Sequence, residues 1–71
     1  MIPAAKHKLL HELERLCELR PDIRFGQLLD HLGVLSDDRA DQSLVLIEDE
    51  DLLGVVQSHV AEMSHQRPNV A

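Results

Sequence analysis

Two histidines four residues apart, His7 and His11, have the most metal-like spacing in the chain. On a helix that interval puts both imidazoles on one face, where they can share a cation if further ligands converge. Zinc sites use three or four protein ligands, and the sequence places no third one nearby. Glu12 follows His11, but no second histidine stands four residues on, so the HExxH arrangement is absent. Glu48, Asp49, Glu50 and Asp51 form the densest run of oxygen ligands. A calcium loop needs spaced ligands about a central glycine, and this run has neither. We therefore expect ordinary surface histidines, no metal and no other cofactor.

Covalent chemistry fares no better. Cys17 falls on an apolar stripe and reads as a small hydrophobe rather than an activated thiol. His59 lies at the margin of another stripe, and no Ser or Cys nucleophile is placed to pair with it. Asp41-Gln42-Ser43-Leu44 is similar to the Asp-Ser-Leu motif of acyl carrier proteins, which are acidic helical domains of comparable length. Gln42 interrupts that motif, and LVLIEDED after Ser43 lacks the amphipathic pattern of their second helix. Neither a carrier nor an enzyme is expected, because no nucleophile–base or paired acid–base set can be assembled.

The elements that must position any site are easier to read. The stretch RPDIRFGQLLDHLGVL, Arg20 to Leu35, organises the chain. Pro21 cannot continue a helix, so it ends the first one. Asp22 can cap the second, and Phe25, Leu28, Leu29 and Leu32 follow at the three-and-four spacing of a buried stripe. Gly33 can supply a left-handed closing residue, with Val34 folding back onto Leu29. Before this stretch, Leu9, Leu10, Leu13, Leu16 and Cys17 form one stripe, and Lys6, Lys8, Glu12, Glu14, Arg15 and Glu18 a solvated face. After it, SDDRADQS at 36–43 reads as a polar loop. LVLI at 44–47 reads as extended, either laid across the helices or as an edge strand that pairs with its copy. Leu52, Leu53, Val56, Val60 and Met63 then make a third helical stripe, opened by the acidic run, which suits a helix N-terminus. The expected fold is all-α: one small three-helix domain over 1–64, with helices near 4–19, 22–33 and 49–64 and a short extended segment before the third. Residues 65–71 lack periodicity and read as a disordered tail.

Composition narrows the function. The 71 residues include thirteen Leu, six Val and three Ile but one Phe and no Tyr or Trp. So small an aliphatic core gains from a second copy, which makes a homodimer the expected state. Net charge is −6, divided unevenly: residues 1–24 balance at +1 and residues 25–71 at −7. An acidic surface repels phosphate backbones, so direct nucleic-acid binding is not expected. A single cysteine precludes an internal disulfide and suits a reducing compartment. No 18-residue apolar run spans a membrane, and MIPAAKHK has no apolar signal core, so a cytoplasmic location is expected.

Arg20 and Arg24 flank the start of the second helix, where the helix dipole disfavours cations. Glu48, Asp49, Glu50 and Asp51 are the natural counter-charges, within one chain or across a dimer. Gln27 lies nearly opposite the apolar stripe and should face water in a monomer; the rival reading is that Arg24 and Gln27 stay free and face an external partner. Ile23, Gly26 and Asp30 share another face, where the glycine either lets a second backbone approach or is simply tolerated in a surface turn. These residues also carry a resemblance. Pro21-Asp22-Ile23-Arg24-Phe25-Gly26-Gln27-Leu28, followed downstream by Ile47-Glu48-Asp49-Glu50, resembles a group of small uncharacterised bacterial proteins. Those have a Pro-Asp-x-Arg-x-Gly-Gln-Leu core and then an apolar residue leading into Glu-Asp-Glu. The match covers Arg20–Leu29 and Ile47–Leu53. An aromatic often precedes the acidic run in that group, where this chain has Leu46-Ile47. The resemblance implies a bacterial cytosolic protein and supplies no activity. The expected function is a protein–protein interaction or regulatory module that binds itself and another protein. The alternative is an accessory subunit, or an acidic phosphate mimic, in a nucleic-acid-linked assembly.

Overall fold

The computed structural model describes residues 1–66, the side chain of Gln66 excepted; residues 67–71, most of the expected tail, lie outside the described residues. The described residues form three helices, α1 (Ala4–Leu19), α2 (Phe25–Ala40) and α3 (Asp49–Gln66), as the sequence patterning leads one to expect. α1 stops where Pro21 requires. Arg20 leaves the helical region at φ −131° and ψ 69°, the restriction that a following proline imposes. α3 begins with Asp49, Glu50 and Asp51 in its first turn, where exposed N–H groups favour negative charge.

The second helix departs from expectation at both ends. Its N-cap is Arg24, not Asp22. The Asp22 carboxylate instead accepts two bonds from the Arg20 guanidinium, at 3.1 and 3.2 Å. Such charge-assisted pairs outcompete a bond to a neutral backbone N–H. At the other end Gly33 does not close the helix. No glycine has positive φ, and α2 runs seven residues further, so 36–40 are helix rather than loop. The continuation buries Leu35 and Ser36 beside Leu32, which offsets the roughly 1 kcal/mol that a helical glycine costs. Asp41 takes the left-handed position instead, at φ 56°, a conformation aspartate tolerates better than most residues. Its N–H bonds to the Asp37 carbonyl, and the fully buried Ser36 hydroxyl donates to the Gln42 carbonyl at 2.6 Å.

Residues 44–47 are also not extended. The Leu46 and Ile47 N–H groups both bond to the Ser43 carbonyl at 3.0 Å, which makes a turn. Ile47 is its only buried side chain, and Leu44, Val45 and Leu46 stay exposed.

The core is aliphatic: Leu16 of α1; Leu28, Leu32 and Leu35 of α2; Ile47; and Val55, Val56 and Val60 of α3. α3 packs against both other helices, which have little direct contact with each other. Lys6 pairs with Asp49 at 3.7 Å, while Leu16 and His59 line one groove further along, so α1 and α3 run in the same direction. α2 returns between their ends, with Ile23 and Leu28 near Met63 and Ala40 near Gly54 and Val55. Several expected core residues lie outside. Leu10, Phe25, Leu29 and Cys17 are exposed, whereas Glu12 and Val55 are buried. α3 covers only a narrow arc of each neighbour, so a stripe four side chains wide is more than it can bury.

Gly33 offers a direct check on the length of α2. A Cβ added there would meet nothing within 4 Å, and the backbone is not left-handed. Gly33→Ala should therefore raise unfolding stability by about 1 kcal/mol in a urea titration. A loss of stability would mean that the helix ends at residue 33.

Candidate functional site

The residues singled out from the sequence do not converge on one point. Arg20 is committed to Asp22 rather than to the acidic run, and this fork holds the Arg20 guanidinium above and the Asp22 carboxyl below their usual titration ranges. Among the described residues, Arg24 makes no ion pair, and neither do Glu48, Glu50 or Asp51; Asp49 pairs with Lys6. The expected link within one chain between Arg20 or Arg24 and the acidic run is therefore not made. The separation explains this, since Arg24 begins α2 at the far end of α3 from Glu48 and Asp49. Gln27 does not simply face water. Its Oε1 accepts the Arg24 N–H at 3.1 Å, half of a capping box, and a guanidinium cannot accept the reciprocal bond. Gly26 is open, with nothing within 4 Å of an added Cβ, so among the described residues no other element's backbone approaches it.

What the fold does assemble is a groove of about 350 Å³ where α1 ends, α2 begins and α3 passes beneath. Leu16, Ile23, Leu28 and Met63 supply its apolar lining, and Arg20, Gln27, His31 and His59 its polar groups. Gln27 and His31 stand one turn apart on the groove flank of α2, and Phe25 and Leu29 lie beyond the buried arc on the other flank. No motif or stripe singles out His31. Its one-turn spacing from Gln27 is visible in the chain, but its meeting with His59 depends on how α2 lies across α3.

The two imidazoles lie 5.0 Å apart between centroids, tilted by 58°. His59 is only 8% exposed, as a structural histidine on a stripe margin should be. Among the described residues its buried Nδ1 has no hydrogen-bond partner, and Glu62 Oε1 is 3.9 Å away. That carboxylate is taken by Arg39 at 2.7 Å, a bond from the last turn of α2 to α3 that holds Glu62 below the usual carboxylate range. Burial pushes His59 below the usual imidazole range, repulsion from His31 and Arg39 adds to this, and Glu62 opposes it. His7 and His11 remain on the exposed surface of α1, and among the described residues no group of three or more His, Cys, Asp or Glu is placed to hold a metal ion. No helix among them is long and apolar enough to cross a membrane.

Comparison with protein-family models, with curated proteins and with solved structures returned no match. Any functional reading therefore rests on the chain's own geometry.

The depressed His59 makes stability depend on pH with a definite sign. The unfolded chain binds a proton at this residue more readily than the folded chain. Its contribution is complete above the ordinary imidazole value of about 6.5 and is lost as pH falls through the lower folded value. Asp22 and Glu62 are depressed carboxylates and act only at lower pH. The melting temperature should thus fall between about pH 7.5 and 5, and His59→Asn should flatten that slope. An equally steep slope in the variant would assign the effect elsewhere.

Proposed function

We propose that the chain is a protein–protein interaction module that works as a homodimer in a bacterial cytoplasm. The observation that carries this reading is the order of two exposed patches. At the start of α2, Arg24 sets a cation beside Phe25 and Leu29, which are 54% and 37% exposed. Before α3, Leu44, Val45 and Leu46 set apolar surface beside Glu48, Glu50 and Asp51. The one aromatic side chain of the protein and a 92% exposed valine, Val45, both stand outside the core. Contiguous exposed apolar surface of this kind commonly marks an interaction site.

Each patch complements the other, cation against anion and apolar against apolar. They sit at opposite ends of α2, roughly 24 Å apart along a helix of this length. A two-fold axis across α2 would lay each patch of one copy on the opposite patch of the other, as a self-complementary interface requires. Arg24 would then reach the acidic run across the dimer, the pairing it does not make within one chain. Open Gly26, beside Phe25, would let the partner's backbone come close. The exposed free thiol of Cys17 supports a reducing, cytoplasmic setting.

Sedimentation equilibrium at tens of micromolar tests the reading and should report the dimer mass. Phe25→Ser should shift the chain to monomer, and Arg24→Glu should weaken association by about tenfold, the scale of a charge-assisted contact. Adding Glu50→Lys to Arg24→Glu should recover part of that loss. A monomer at millimolar concentration, or association indifferent to Phe25 and Arg24, would contradict the proposal.

A further inference from the structure

We propose that the groove lined by Arg20, Gln27, His31 and His59 is a binding site for a small aliphatic carboxylate. Its volume of about 350 Å³ falls at the lower end of the ~300–1,000 Å³ of small-molecule pockets, which combine apolar walls with a few fixed polar groups. The walls here are aliphatic or thioether: Leu16, Ile23, Leu28 and Met63. None of these four is aromatic, and the His31 and His59 rings are tilted by 58° rather than parallel, so no slot for a flat ring forms and an aliphatic body is the better match.

The polar groups offer donors and few acceptors. Two of the five Arg20 N–H groups are taken by Asp22, which leaves three. The Gln27 carbonyl oxygen is occupied by the Arg24 N–H, so this side chain has its NH2 left to give. The His31 ring stands 5.0 Å from the His59 ring on the groove lining, whereas His59 Nδ1, 3.9 Å from Glu62 Oε1, is closed to solvent and gives the groove no donor. A ligand that accepts hydrogen bonds matches the free Arg20 and Gln27 donors. The surrounding charge favours a monoanion over a phosphate dianion. Asp22 offsets Arg20, Glu62 stands beside His59, and the whole chain carries −6.

A bound carboxylate also opposes the burial that keeps His59 neutral. The groups facing that imidazole are His31 and Arg39 from α2 and Glu62 on α3, with Arg20 on the groove lining beyond the end of α1 and Asp22 bonded to it. A ligand anion added to this set stabilises the imidazolium, so binding takes up a proton and tightens as pH falls. The site lies on the flank of α2 away from Phe25 and Leu29, so its occupation and dimerisation are read separately.

The test is an NMR titration of the full chain with octanoate, following the histidine ring signals. We expect saturable shifts at His31 and His59 with His7 and His11 unmoved, and much weaker effects from octanol and from acetate, which supply the body and the charge separately. Affinity should fall several-fold between about pH 6 and 7.5, as uptake of a proton requires. Arg20→Gln should weaken binding by about tenfold, the scale of a charge-assisted bond. His31→Asn, on an exposed side chain, provides a second variant if the first disturbs the fold. The proposal is overturned if octanoate leaves His31 and His59 unmoved at millimolar concentration. It is equally overturned if octanol matches octanoate, if His7 and His11 shift alike with the groove pair, or if both variants bind as the parent does.

Discussion

One face of one helix holds this protein together. α1 and α2 each pack on α3 and have little contact with each other, so the Val55, Val56, His59 and Val60 surface is the platform both depend on. Leu16 and Val56, the largest apolar side chains with essentially no exposure, mark the centre of that platform. Fully burying an aliphatic side chain contributes about 1.5–3 kcal/mol, and a core of eight such residues has little surplus once chain entropy is subtracted. The buried His59 sits within this platform and ties the stability of the core to pH.

The same constraint explains the exposed surface. A single supporting helix covers a narrow arc of each neighbour, and residues at the edge of that arc are left in solvent. Phe25 and Leu29 are such edge residues on α2, and Leu10 is one on α1. The turn at 44–46 is exposed for another reason: Ile47 alone anchors it, and the paired N–H bonds to Ser43 point the other three side chains outward. The closed end of α2 is firmer. Asp41 in the left-handed position and the buried Ser36 hydroxyl fix where the chain leaves the helix, and Arg39 joins that last turn to Glu62.

The sequence made the three helices legible because their apolar periodicity is strong and Pro21 and the acidic run mark two boundaries. It misled at α2, where local signals competed. Asp22 has the chemistry of a cap but is closer to a guanidinium, and Gly33 has the chemistry of a stop but lies between residues that gain by burial. Burial within each stripe was also out of reach, because periodicity names a face and not how much of it a neighbour covers. Leu28 and Leu29 are adjacent in one pattern, yet one is 5% exposed and the other lies at the surface. Of the groove, Arg20 and Gln27 could be singled out in the sequence, whereas His31 and the partner it meets on α3 depend on the packing of two helices distant in the chain.

The dependence of both helices on α3 can be measured by native-state hydrogen exchange on the parent chain and on Val56→Ala. Removing two methyl groups at the centre of the platform should cost about 2 kcal/mol. If α3 is the shared support, amide protection in α1 and in α2 should fall together and by the same amount. A variant in which α1 loses protection while α2 keeps it, or the reverse, would contradict the single-platform description.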